Sequence, residues 1–188
     1  MSYRRATLRR FWDTANKISG TNDWSACTTW LIQDADYYLI DVLRERLDYP
    51  SLRERAIAHA RTYQADKIVV EEAGIGAGLI QELQKVSLQV VPVRPLRNKI
   101  TRMQEQSLKF QRGNVYLPRH APWLSDYQGE LLSFPQVRFD DQVDSTSQAL
   151  AADHSTYDPA ALAEGMARFS EALTFEPFIR SLYHSKFG

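Results

Sequence analysis

The sequence predicts an α/β domain with a mixed central sheet flanked by helices, and three observations carry that prediction. Near the N-terminus, three runs rich in β-forming residues are separated only by short polar turns, the pattern of an antiparallel meander. From Pro50 onward, short apolar strands alternate with helical periodicity, the pattern of a sheet with helices on its faces. The chain of 188 residues, 44% hydrophobic and 24% charged, is long enough for one domain with a buried core.

Phe11-Trp12-Asp13-Thr14-Ala15 opens the ordered domain, with Asp13 on the first strand. After a Gly-containing turn at Lys17 to Asn22 come the second strand, Asp23 to Ile32, and the third, Tyr37 to Leu47. Pro50 and Ser51 start a helix that runs to about Gln64, with Leu52, Ala56, Ile57 and Ala60 spaced for one buried side. A β-branched strand, Asp66 to Glu72, ends in two carboxylates; Ala73 to Gly78 then turns into a helix through Leu79, Ile80 and Leu83, and Val86 to Val93 is a further strand. Between Arg94 and Arg112 lies a basic amphipathic helix with Ile100, Met103, Leu108 and Phe110 on its apolar side. Gly113 to Pro118 is a turn and short strand, Trp123 to Leu132 a helix, and a last helix enters at Phe139. A tail helix opens at Pro159 and runs through Phe169. Residues 1–10, with Arg4, Arg5, Arg9 and Arg10, read as a linker or N-terminal arm, 11–152 as the domain, and 153–188 as a partly helical tail.

Composition narrows the function classes. Formal net charge is zero, so any nucleic-acid binding must come from local patches. The single Cys27 excludes an intrachain disulfide framework and a Cys-based zinc cluster, which fits a reducing cytoplasm. No apolar run reaches the length of a membrane span, and no h-region follows the N-terminal arginines. His59, His120, His154 and His184 lack ligand spacing and read as surface or structural residues, and Trp12, Trp24, Trp30 and Tyr37 as packing aromatics.

The segment Phe139-Asp140-Asp141-Gln142-Val143-Asp144 holds the most informative charges. An Asp pair sits where an N-cap belongs, and Asp141 and Asp144, three apart, share a helical face. One Asp is enough to cap a helix. Two like charges ~4 Å apart at an effective dielectric near 20 repel by about 4 kcal/mol, so such crowding calls for a cation between them. The alternative is a solvated acidic cap. Asp13, Glu71, Asp140, Asp141 and Asp144 come from three separate segments that can converge at one end of a mixed sheet. Their oxygen-only chemistry suits Mg²⁺ or Mn²⁺, and two such ions clamp the attacking and leaving oxygens of a phosphoryl displacement, which is nuclease chemistry. Arg94, Arg97, Lys99, Arg102, Lys109 and Arg112, opposed only by Glu105, form the clearest basic patch, which reads either as a phosphate-binding face or as a solvated helical one.

Trp12-Asp13-Thr14-Ala15, Gly20-Thr21-Asn22-Asp23-Trp24-Ser25, Tyr37-Tyr38-Leu39-Ile40-Asp41-Val42, Val70-Glu71-Glu72 with Gly76, Lys99-Ile100-Thr101-Arg102, Gly113-Asn114-Val115 and Asp140-Asp141-Gln142-Val143-Asp144 occur in that order. Together, from about Phe11 to Leu150, they resemble the C-terminal nuclease domain of tailed-bacteriophage terminase large subunits. The resemblance implies an RNase H-like (RuvC-like) fold and a metal-dependent endonuclease cutting concatemeric double-stranded viral DNA with little sequence specificity. By that resemblance Asp13, Glu71 and Asp141 are the catalytic ligands of two Mg²⁺ or Mn²⁺ ions, with Asp140 and Asp144 as supporting acids. Lys99, Arg102, Arg97 and Lys109 are then the DNA-binding cations. Phe139 stands where the family often has His.

The family's ATPase motor is absent from this sequence, which has no Gly-x-x-x-x-Gly-Lys-Ser/Thr loop and so reads as an isolated nuclease domain. The resemblance further implies a motor domain, a small terminase subunit and a portal as partners, no membrane, and the cytoplasm of the infected bacterial host. Three other readings compete. Gly74-Ile75-Gly76-Ala77-Gly78 after a strand is like a dinucleotide turn but has Leu79 where the third glycine belongs, so it reads better as a tight strand-to-helix connection and no cofactor-binding residue is assigned. A Holliday-junction resolvase or transposase-type nuclease would share the metal chemistry, and a non-catalytic assembly module would use the acids only as caps.

Overall fold

The structure, a computed structural model, describes residues 7–14, 24–151 and 175–178. Along the chain the elements are β1 (Thr7–Asp13), β2 (Ser25–Gln33), β3 (Asp36–Glu45), α1 (Tyr49–Tyr63), β4 (Lys67–Glu71), α2 (Gly76–Lys85), β5 (Val90–Val93), α3 (Lys99–Gln111), β6 (Val115–Pro118), α4 (Leu124–Ser133), α5 (Asp141–Ala151) and β7 (Phe175–Pro177). The described strands form one sheet of order β5-β4-β1-β2-β3-β6-β7. β1, β2 and β3 are the predicted antiparallel meander. β4 runs parallel to β1 and β5 parallel to β4, β6 runs parallel to β3, and β7 closes the far side antiparallel to β6. The mixed sheet expected from the alternation pattern is therefore present, with helices on both faces. Among the described residues no helix is long and apolar enough to cross a membrane.

Side-chain alternation on the strands sorts the core into two layers. Trp12, Cys27, Leu43 and Val70 face α1 and α2, where Leu52, Ala56, Leu79 and Leu83 meet them. Phe11, Trp30, Tyr37 and Leu39 face the other way, onto Met103, Phe110, Tyr127, Leu131, Val143 and Leu150 of α3, α4 and α5. Each such large apolar side chain removed from water stabilises the fold by roughly 1.5–3 kcal/mol.

β1 starts at Thr7, ahead of the expected Phe11, so Arg9 and Arg10 belong to the sheet and not to a basic arm. Arg10 is fully buried, its guanidinium 4.8 Å from the centroid of the Tyr63 ring. Burial lowers its pKa against the opposing charges of Cys27, Tyr63 and Asp41. Those partners lie far along the chain, which is why a run of arginines reads as solvated from sequence.

Helix starts are set by side chains. Asp48 accepts from the Ser51 amide (2.9 Å) with Pro50 in the first turn, and Asn98 accepts from the Thr101 amide (2.9 Å). At α5 the expected cap does not come from the Asp140-Asp141 pair. Glu130 of α4, 7% exposed, accepts from the Gln142 amide (2.8 Å), the Val143 amide (3.0 Å) and Gln142 Nε2 (2.6 Å). A buried carboxylate satisfies these orphan N–H groups through charge-assisted bonds, leaving the two aspartates to other work. Burial raises the Glu130 pKa while Gln142, Val143 and Arg44 pull it back down.

Replacing Glu130 with Ala leaves the Gln142 and Val143 amides buried and unpaired, and should lower the unfolding free energy by about 1–3 kcal/mol in urea titrations. An unchanged midpoint would show that the cap is dispensable.

Candidate metal centre

In the parallel pair β1–β4, Trp12 lies opposite Val70, so the next residues, Asp13 and Glu71, end neighbouring strands side by side. Both follow residues of the α1/α2 layer, so alternation turns them toward the α5 face. α5 is fixed across β1 and β2 by one serine. The buried Ser145 hydroxyl donates to the Phe11 carbonyl (2.7 Å), accepts from the Thr28 amide (3.1 Å) and lies 2.6 Å from the Thr28 hydroxyl. Asp141, Asp144 and Gln148 follow at steps of three and four and share one face of that helix. Gln148 Nε2 donates to Glu71 Oε2 at 2.7 Å, tying α5 to the end of β4. Gly76 lets α2 begin against the same strand end: a Cβ there would lie 2.1 Å from the Glu71 carbonyl oxygen and 3.0 Å from the Thr14 hydroxyl.

The carboxylates act on one another. The Asp13 pKa is raised well above the ordinary value, first by burial and then by the charges of Asp144, Asp141 and Glu71, with Lys99 opposing. Burial also raises Asp144, against Arg102 and Lys99, with Asp140 and Glu71 adding to the rise. Asp141 is pushed up to about 6 by burial and the Glu130 charge, and its Oδ2 is buried with no hydrogen-bond partner among the described residues. Asp13, Glu71, Asp141 and Asp144 thus share one electrostatic neighbourhood at the carboxyl ends of β1 and β4. As the side chains lie, no three Asp, Glu, His or Cys groups among the described residues stand close enough together to hold an ion.

Asp140 is drawn to the rim, where Lys99 Nζ donates to its Oδ2 at 2.5 Å. Arg102 donates to Asp144 and, through Nη1, to the Arg97 carbonyl (2.7 Å). Arg97 pairs with Glu105. Lys109 donates to Gln106 Oε1 (2.8 Å) and to the Leu150 carbonyl, with its ammonium 5.0 Å from the Tyr37 ring centroid. All four predicted DNA-binding cations therefore have internal partners. Glu72, next to Glu71, is held away by a two-point pair with Arg94 (3.0 and 2.9 Å).

Sequence reasoning missed Glu130, Ser145 and Gln148. Gln148, four residues after Asp144, was readable from helical spacing; Glu130, one of several polar residues of α4, carried no signal that set it apart. Of the histidines, His59 is buried with Nε2 2.7 Å from Asp41 Oδ2, and His120 is exposed. Trp12, Trp30 and Tyr37 are core residues as expected, whereas Trp24 is half-buried. The Gly20 to Asp23 motif, His154, His184 and the Pro159 to Phe169 helix lie outside the described residues.

A family model described as the terminase RNaseH-like domain matches residues 10–153. The structure is similar to the large terminase nuclease of thermophilic phage G20c with bound zinc, at 19% identity and a TM-score of 0.59, over 84% of this chain and 85% of that one. The magnesium-bound form of that nuclease matches at 16% identity and 0.59, over 80% and 84%. The manganese-soaked human cytomegalovirus terminase nuclease domain matches at 11% identity and 0.52, over 81% and 90%. At these identities the likeness is one of fold. No curated protein matches the chain.

The Asp141 shift has a definite sign. Its carboxyl titrates near about 6 in the folded protein and near 3.8 when unfolded, so the folded form holds the extra proton between those values. Stability from this group is complete below the unfolded value and is lost as pH rises through the folded one. In chelator-treated protein, the melting temperature should fall more steeply across that window in wild type than in Asp141→Asn; parallel curves would contradict the shift.

Proposed function

The chain belongs to the terminase RNaseH-like domain family, and from that premise we propose that it is the metal-dependent endonuclease domain of a viral DNA-packaging terminase, hydrolysing phosphodiesters of double-stranded DNA. One observation carries the reading: carboxylates from β1, β4 and α5 gather at the carboxyl ends of β1 and β4, where burial and the neighbouring acidic charges raise Asp13. That arrangement stores an unfavourable interaction that a bound cation would reverse.

The donor set fits a divalent metal. Its groups are all carboxylate oxygens, and the orphaned Oδ2 of Asp141 is a buried acceptor in want of a partner. Asp13, Glu71 and Asp141 would hold the cations, with Asp144 and Asp140 supporting, after rotation of side chains that now stand apart. Hard oxygen ligands favour Mg²⁺ or Mn²⁺, two ions in number, and solved relatives with bound zinc, cobalt and magnesium support a divalent requirement. Such ions would supply activation of a water and neutralisation of charge on the scissile phosphate and the departing 3′ oxygen.

The protein's own groups provide position. Asp13 and Glu71 stand on paired strands, and Gln148 fixes the Glu71 carboxylate. Glu130 and Ser145 fix the start and the crossing point of α5, and with them the places of Asp141 and Asp144. Lys99 and Arg102, held on Asp140 and Asp144, put two positive charges beside the acids, where they offset repulsion and would turn to a phosphate once a cation took over those acids. The same reading gives the domain an ATPase motor, a small terminase subunit and a portal as partners in the infected bacterium's cytoplasm.

Plasmid digestion tests the reading. Mg²⁺ or Mn²⁺ should support nicking and linearisation and chelator should stop both. Asp13→Ala, Glu71→Ala and Asp141→Ala should each cut at least about 100-fold more slowly, the scale of losing one group that stabilises developing charge. Wild-type rates in these variants would remove the mechanism.

A further inference from the structure

The geometry points to a second functional surface: Arg46, Trp24, Arg44, Phe139 and Arg138 form a ladder of guanidinium and aromatic groups that holds one strand of DNA beside the carboxylate cluster. The choice of DNA as ligand rests on the proposed nuclease reading. The ladder itself rests on contacts that reading does not use.

Trp24 immediately precedes β2, and two guanidiniums lie over its indole, Arg44 at 4.6 Å and Arg46 at 4.5 Å from the ring centroid. Phe139 meets the same indole edge-on at 6.4 Å. Arg44 also lies over the Phe139 ring at 5.7 Å, and Arg138 covers it at 5.0 Å. Three cations and two rings thus run in one connected set from the end of β3 to the loop entering α5. That loop leads directly into Asp140 and Asp141, so the ladder abuts the acids.

Charge distinguishes this surface from the basic patch seen in the sequence. Lys99, Arg102, Arg97 and Lys109 are each engaged by an internal partner. Arg46 and Arg138 are exposed and make no ion pair among the described residues. Among the described residues, Arg44 has Glu130 as its one ion-pair partner, at 3.7 Å. Arginines gathered around two rings repel one another, and an anion laid across them relieves that repulsion. A guanidinium stacked on a ring still has N–H edges free for a phosphate, and the ring holds its plane in place. Beside the ladder lies a cleft of about 510 Å³ whose lining includes Trp24, Arg44 and Arg55 and three acids, of which Glu45 pairs with Arg55 at 2.6 Å, Asp41 with His59 at 2.7 Å, and Asp126 is the third. Fixed cations, two part-exposed rings and a neighbouring cleft fit a nucleic-acid strand.

The test is fluorescence anisotropy of a short labelled duplex in chelator, where cutting is stopped, over a range of salt, with Mn²⁺ cleavage measured in parallel. In the Arg46→Ala/Arg138→Ala protein, affinity should fall about 10-fold and the slope of log K against log salt should drop by roughly 2, near 0.9 for each phosphate no longer neutralised. Cleavage at saturating DNA should keep its kcat while KM rises. The Arg46→Lys/Arg138→Lys protein should retain the wild-type salt slope but bind more weakly, because the charge is kept and the planar stacking fork is removed. Unchanged affinity and slope in the alanine protein, with wild-type melting temperature, would overturn the ladder while leaving the nuclease reading intact. If wild type binds DNA through these arginines yet never cuts it, the ladder stands and the nuclease reading falls.

Discussion

Like-charge repulsion at the carboxyl ends of β1 and β4 is the constraint on which the rest of this structure depends. Burial first, and then the charges of Asp144, Asp141 and Glu71, raise the cost of ionising Asp13, and burial with the charges of Asp140 and Glu71 does the same to Asp144. Such an arrangement persists only if the scaffold over-determines it. The parallel register sets Asp13 beside Glu71, the Ser145 bonds to Phe11 and Thr28 fix where α5 crosses, and Gln148 locks α5 to Glu71. Gly76 permits the approach of α2 that holds the end of β4 in place. A shift of one residue in the β1–β4 register would turn one acid to the α1 face and disperse the cluster.

Counter-charges are arranged to match. Lys99 and Arg102 reach from the first turn of α3 to Asp140, just ahead of α5, and to Asp144 within it, so one helix supplies the cations that make the acids of the other tolerable. Glu130 serves two neighbours at once, capping α5 and meeting Arg44. Through Arg44 the cap of the acidic helix is linked to the edge-to-face rings of Trp24 and Phe139. The acid-bearing helix and the exposed guanidiniums beside it are thus positioned by one connected set of side chains, which couples where a DNA strand would lie to where it would be cut.

Much of this was legible in the sequence, and the boundary has physical causes. The meander, the alternating strands and helices, and the faces of α1 and α5 follow from local periodicity and turn chemistry, which adjacent residues determine. The carboxylates were legible because chemistry singles them out: three aspartates in one helical entry exceed what a cap requires. Partnership was not legible. Arg10 reads as solvated until Tyr63 is brought over it, and the cations of α3 read as a free patch until α5 supplies Asp140 and Asp144. The Asp pair reads as a cap because the true acceptor, Glu130, comes from a different helix.

Anomalous diffraction from a crystal of the protein soaked in Mn²⁺ would show whether these separated acids jointly bind catalytic cations. Manganese peaks should lie bounded by Asp13, Glu71 and Asp141, with their side chains rotated inward. Manganese bound elsewhere, with those three carboxylates unengaged in a preparation that still cuts DNA, would rule out shared binding by these acids.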